Sequence, residues 1–137
     1  MNVILASSSI FRKQLLSKLG IPFKCISPDI NERRIKGESV SEYVQRLSIE
    51  KAKKIGISNK SSIIIGSDEV ADLEGKILGK PLSRNKAKNQ LRLLSGKKVI
   101  FRTGLCVMNS DTEKYYSSVS NYSIIFKDLE DNIIDSY

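Results

Sequence analysis

Four short stretches of this chain carry residues able to do chemistry on a charged substrate. Ser7, Ser8 and Ser9 end an apolar run and open a helical pattern, with Arg12 and Lys13 in its first turn. A helix N-terminus presents free N–H groups and the positive end of its dipole. Hydroxyls and two cations beside it make an anion site, although a plain serine cap is the commoner role. Glu50-Lys51 lies on a second helical pattern, where a solvated charge pair is the ordinary reading. Gly66-Ser67-Asp68-Glu69 closes a run of isoleucines. A carboxylate leaving a buried strand is held rigidly at the sheet edge, where α/β ligand sites lie, or else it forms a turn. Gly79-Lys80-Pro81 sets a lysine between two backbone-restricting residues, again as a site or as a turn.

Composition narrows what these residues can do. The chain has no histidine, which excludes Ser-His, Cys-His and His-zinc chemistry. Catalysis must run on carboxylates, lysines, hydroxyls or a hard metal bound through oxygen. Cys25 and Cys106 are too few for a disulfide framework, and their strand-like apolar surroundings predict buried thiols. The formal charge of +8 invites a nucleic-acid reading. Against it, no Lys/Arg run exceeds two residues, aromatics are not interleaved with them, and the Lys-, Ile- and Ser-rich composition reads as a global bias. No apolar run approaches the length of about 20 residues that spans a bilayer, and no signal peptide is evident. The expectation is a cytoplasmic protein without a membrane partner.

The elements that must hold these residues follow from periodicity. Asn2 to Ala6 reads as a strand, followed by a helix with Ile10, Leu15, Leu16 and Leu19 on one side and Gly20 as its stop. Ile21 to Ser27 reads as a second strand, and residues 28–37 as a polar loop. An amphipathic helix from Ser39 or Ser41 carries Tyr43, Val44, Leu47 and Ala52 and ends at Gly56. Ser61 to Ser67 is a buried strand. A hairpin follows, turning at Glu74-Gly75. Ser83 caps a helix that carries Ala87, Leu91 and Leu94, and Val99–Met108 and Tyr115–Phe126 are two strands. A new helical pattern starts at Leu129. At 137 residues this is one domain of the α/β class with a mixed sheet.

Read in order, six motifs resemble the Maf family of nucleotide pyrophosphatases (septum-formation proteins) over Val3 to Tyr137. They are Leu5-Ala6-Ser7-Ser8-Ser9-x-x-Arg12-Lys13, Glu50-Lys51-Ala52, Ile65-Gly66-Ser67-Asp68, Gly79-Lys80-Pro81, Leu94-Ser95-Gly96-Lys97 and Thr103-Gly104. The resemblance implies a Maf/ITPase-like mixed sheet flanked by helices, with a nucleotide cleft. It also implies a divalent metal, magnesium or manganese, and hydrolysis of a nucleoside triphosphate to monophosphate and diphosphate. Phe11 before the cations, Gly66-Ser67-Asp68 and Thr103-Gly104 are similar to the branch associated with 7-methyl-GTP. A methylated guanine is cationic, so the face of Phe11 would attract it. Glu69 stands where that branch has glutamine and adds a carboxylate suited to a cationic base.

In that resemblance Asp68 is the proton acceptor or a metal ligand, and Glu32 matches an acidic loop position assigned to the metal. Ser9, Arg12, Lys13, Lys51 and Lys80 bind the phosphates and offset transition-state charge. The partner is a small-molecule nucleotide, and a homodimer is compatible. The chain departs from the family pattern at Lys13, an arginine there, and at Asn31, an acidic residue there. It also ends before a helix and a glycine-containing segment, and so reads as a domain truncated at its C-terminus. Two other readings stay open: an inactive remnant of such an enzyme, and a basic nucleic-acid-binding domain.

Overall fold

The computed structural model describes residues 1–79 and 83–128. Val3, Ile4 and Leu5 of β1 (Asn2–Ala6) pair in parallel with Ile63, Ile64 and Ile65 of β3 (Ser62–Leu73). Continuous apolar runs of this kind belong to strands covered on both faces. Between them run α1 (Ile10–Ser17), β2 (Lys24–Cys25) and α2 (Val40–Gly56). After them come β4 (Lys76–Leu78), α3 (Arg84–Leu94), β5 (Lys98–Asn109) and β6 (Tyr115–Ile125). The strand order is β2-β1-β3-β5-β6, with β4 paired to β3. β1 pairs β2 in parallel and β3 pairs β4 antiparallel, so the sheet is mixed and the α/β class holds.

The chain divides into two compact units, Met1–Glu69 with Thr103–Ser120 and Val70–Arg102 with Asn121–Tyr137. Each has its own apolar core. In the first, Ile4, Ala6, Ala52, Ile55, Ile64, Cys106 and Met108 form a buried cluster. In the second, Leu73, Leu94 and Val99 pack together with Phe101 and Phe126 against them. Serine caps start the three helices among the described residues, at Ser9, Ser39 and Ser83. Ser39 forms a reciprocal capping box with Glu42, which settles the start of α2.

Four expectations need correction. β3 does not end at Ser67 but runs on to Leu73. The Gly66–Glu69 motif is therefore internal to a strand, because nothing in it breaks extended backbone. β2 is two residues long, not seven, since among the described residues it pairs with β1 alone, at Ile4 and Leu5. The apolar side of α1 is not buried: Ile10, Leu15 and Leu19 are exposed, and no residue of the helix is buried. Cys25 is exposed, whereas Cys106 is fully buried. The helical pattern from Leu129 lies outside the described residues. Among the described residues no helix is long and apolar enough to cross a membrane.

The two thiols predict different reactivity. Desolvation pushes the Cys106 thiol up to about 11, with Lys53 opposing weakly. Iodoacetamide at mildly alkaline pH is expected to label Cys25 alone in the folded protein, and both cysteines after denaturation. A C25S variant that still reacts rapidly when folded would contradict the burial of Cys106.

Candidate active site

Register brings three chain segments to one edge of the sheet in the first unit. Ala6 is paired with Gly66, so Ser7 and Ser67 follow at the same level. The Ile26 N–H donates to the Leu5 carbonyl, so residues 27–38 also leave from that end. The serine run, the acidic motif within β3 and the loop with Glu32 thus lie where the parallel pairing of β1 with β2 and β3 ends. The carboxyl ends of parallel strands are where α/β sheets place ligands.

Gly66 sets how close α2 comes to that edge. A Cβ at Gly66 would lie 2.1 Å from the Ser48 carbonyl oxygen and 3.0 Å from the Ala52 nitrogen. Gly104 is equally confined, its added Cβ 2.2 Å from the Val44 carbonyl oxygen. Two glycines therefore let β3 and β5 meet the backbone of α2, as glycine alone permits at such approaches. Glu50 and Lys51 then separate, being about 100° apart around the helix. Glu50 turns to Arg46, 3.1 Å away. Lys51 turns inward and is 7% exposed.

The Lys51 ammonium donates to Asp68 Oδ1 at 2.8 Å and to the Ser67 carbonyl at 3.5 Å, and it meets Glu32 Oε1 at 3.1 Å. Asp68 is itself buried. A buried charge is tolerated when it is paired and hydrogen-bonded, and each member of this cluster has such a partner. Tyr43, just over two turns before Lys51 on α2, donates its hydroxyl to the Glu32 carbonyl. Burial pushes the Tyr43 phenol above its ordinary range, and the Asp68 and Glu32 carboxylates add to the rise. The hydroxyl therefore remains a donor.

The serine run forms a second group. Ser7 Oγ accepts from the Ser9 N–H at 3.0 Å and from Arg12 Nη1 at 3.4 Å, while Ser9 Oγ accepts from the Arg12 N–H at 3.3 Å. Arg12 is thereby folded back over the start of α1. Lys13 is exposed. Phe11 is 78% exposed, which leaves its ring open to a ligand. No hydrogen bond or ion pair among the described residues joins this group to the Lys51–Asp68–Glu32 cluster.

On β3, Glu69 accepts a 2.6 Å hydrogen bond from Thr103 Oγ1 of β5, which ties the Thr103-Gly104 motif to the acidic one. Lys80 lies outside the described residues. Sequence reasoning missed Tyr43 and Arg46 as parts of this region, and had Ser7 and Thr103 only as members of motifs. Tyr43, Arg46 and Glu50 follow one another at three- and four-residue spacing on α2, a signal that was available.

The Maf-like protein model matches residues 2–137. A 7-methyl-GTP pyrophosphatase of Pseudoalteromonas atlantica is 46% identical over 137 residues, covering 100% of this chain and 70% of that protein. Proteins of the same name from Vibrio parahaemolyticus and Pseudomonas aeruginosa are 44% and 43% identical, with 98% and 99% of this chain and 69% and 71% of theirs covered. The ordered motifs, the mixed sheet and these matches agree, and the chain belongs to the Maf-like protein family.

Proposed function

We propose that this protein is a nucleoside triphosphate pyrophosphatase that takes 7-methyl-GTP and cleaves its α–β phosphoanhydride bond. The observation that carries the reading is the buried Lys51–Asp68 pair with Glu32 beside it. It sits at the sheet edge to which Ser7, Ser9 and Arg12 are also delivered. The names of the relatives support the same substrate.

In this reading water attacks the α-phosphorus and gives its proton to Asp68, while the bond from that phosphorus to the α–β bridging oxygen breaks. Pyrophosphate leaves and 7-methyl-GMP remains. Lys51 holds one Asp68 oxygen, which orients the other toward the water. Arg12 and the N–H groups of the α1 start bind the phosphates, and Lys13 and Lys80 add charge for the oxygens on which negative charge builds up. Phe11 stacks on the base.

A divalent cation fits this chemistry. Asp68 and Glu32 present hard oxygen donors to one point, now bridged by the Lys51 ammonium. Among the described residues no group of three Asp, Glu, Cys or His gathers as a closed metal site. One or two carboxylates completed by substrate phosphates is the usual setting for magnesium. Bound there, the cation would neutralise charge on the phosphates. Chelation is accordingly expected to abolish turnover, with recovery on adding Mg²⁺ or Mn²⁺.

Pyrophosphate release from 7-methyl-GTP, GTP, UTP and dTTP with Mg²⁺ tests the proposal, with 7-methyl-GTP expected to lead. A folded protein that turns over none of them would leave the inactive-remnant reading standing. Glu69 offers a finer check. Its carboxylate, held by Thr103, makes charge-assisted contact with a cationic base, so E69Q should cut the ratio of kcat/KM for 7-methyl-GTP over GTP by about tenfold. An unchanged ratio would remove Glu69 from specificity.

A further inference from the structure

We propose that Arg46 is the positioning residue of the site: its guanidinium clamps the 32–38 loop onto α2 and so delivers the Glu32 carboxylate to Lys51. The inference rests on the pyrophosphatase reading for its consequence in turnover, though its geometry stands apart from it.

Glu32 is a poor candidate to place itself. Its side chain is 56% exposed and reaches Lys51 from a loop without secondary structure. Holding such a side chain costs rotamer and backbone entropy unless the loop is already ordered. Arg46 supplies that order on three sides. Nε and Nη2 meet Glu38 Oε2 and Oε1 at 2.6 and 3.0 Å, a fork-to-fork pair. Nη1 meets both oxygens of Glu50, at 3.2 and 3.1 Å. Nη2 also donates to the Arg33 carbonyl at 3.1 Å. The residue after Glu32 is thus held by the same group that grips the far end of the loop.

The loop is knitted to match. Glu38 Oε1 accepts from the Ile35 N–H at 3.3 Å, and Arg34 Nη2 donates to the Glu38 carbonyl at 3.1 Å. Tyr43, over whose ring the Arg46 guanidinium lies at 5.6 Å, holds the Glu32 carbonyl itself. Arg46 therefore reads the loop at both ends and fixes it to the helix that carries Lys51. Only a planar guanidinium can serve two carboxylates and a carbonyl at once, so lysine is not an equivalent here.

Four proteins test this: wild type, R46K, E32Q and R46K/E32Q. R46K is expected to lower kcat for 7-methyl-GTP about tenfold and to raise the half-saturating Mg²⁺ by a similar factor, the usual size for groups that orient a metal-site carboxylate. The KM for nucleotide at saturating Mg²⁺ should stay within about twofold. The double variant should be no worse than E32Q, because Arg46 acts through Glu32. Amide hydrogen exchange in residues 32–38 should be about tenfold faster in R46K, with β3 unchanged.

Wild-type kinetics together with wild-type exchange in R46K would overturn the assignment. So would a loss that adds in full to that of E32Q, or faster exchange that extends to β3. Should the wild type release no pyrophosphate from any nucleotide, the functional reading fails and the exchange decides alone. Selective loosening of 32–38 then upholds the clamp, and unchanged exchange ends it.

Discussion

Replacing Asp68 with asparagine is expected to lower kcat for 7-methyl-GTP by about 10³-fold, within the range found for removal of a general base. Asparagine has nearly the same shape, so the packing around β3 has no reason to change. What it loses is the capacity to take a proton from water and to donate a charged oxygen to a cation. It also deprives the buried Lys51 ammonium of one carboxylate, 2.8 Å away, and leaves it Glu32 at 3.1 Å. Removing one member of a buried pair is costly when the other is stranded. With Glu32 still in place the loss of stability should be about 1–2 kcal/mol, less than full stranding would bring. Steady-state pyrophosphate release and a urea midpoint measured on the same preparation separate the two effects. A variant within threefold of the wild-type rate would remove Asp68 from the mechanism.

Gly66→Ala is expected to be, with Gly104→Ala, among the most damaging single methyl additions to the described residues. Its Cβ would overlap the Ser48 carbonyl oxygen and crowd the Ala52 nitrogen, both of them backbone atoms of a long helix that has no freedom to step aside locally. Relief requires α2 to move off β3, disturbing the cluster of Ile4, Ala52, Ile55 and Ile64. The cost should be about 3 kcal/mol, the upper end of ordinary overpacking. Because the same movement carries Lys51 away from Asp68, activity should fall more than stability alone explains. Gly79→Ala is the control: among the described residues nothing lies within 4 Å of the added atom, and the effect should stay within about 0.5 kcal/mol. Equal urea midpoints for the two variants would refute the close helix–strand contact that assembles the site.

These two residues show where the sequence speaks clearly and where it does not. The isoleucines of β3 and the Ser39–Glu42 box of α2 announce themselves, because strand burial and helix capping are local matters. Gly66 was legible as part of a motif but not as the contact point of a helix. That role depends on Ser48, which only the packed structure brings near. The Glu50-Lys51 pair invited a solvated reading, since adjacency in sequence hides a turn of about 100° between the two side chains. Glu32 and Asp68 lie far apart along the chain, and only the parallel register of β1 with β2 and β3 brings their segments to one edge. Apolar spacing in α1 predicted a buried side, but periodicity reports that a helix is two-faced and not what covers it. Cys25 failed for a related reason: an apolar neighbourhood in sequence says nothing about a two-residue strand at the sheet margin.

Hydrolysis at the α-phosphorus fixes where the oxygen of the attacking water must end. Turnover of 7-methyl-GTP in ¹⁸O-labelled water with Mg²⁺, read by mass spectrometry of the products, should place the label in 7-methyl-GMP and leave the released pyrophosphate unlabelled. Label in the pyrophosphate, or orthophosphate released with 7-methyl-GDP, would contradict the account.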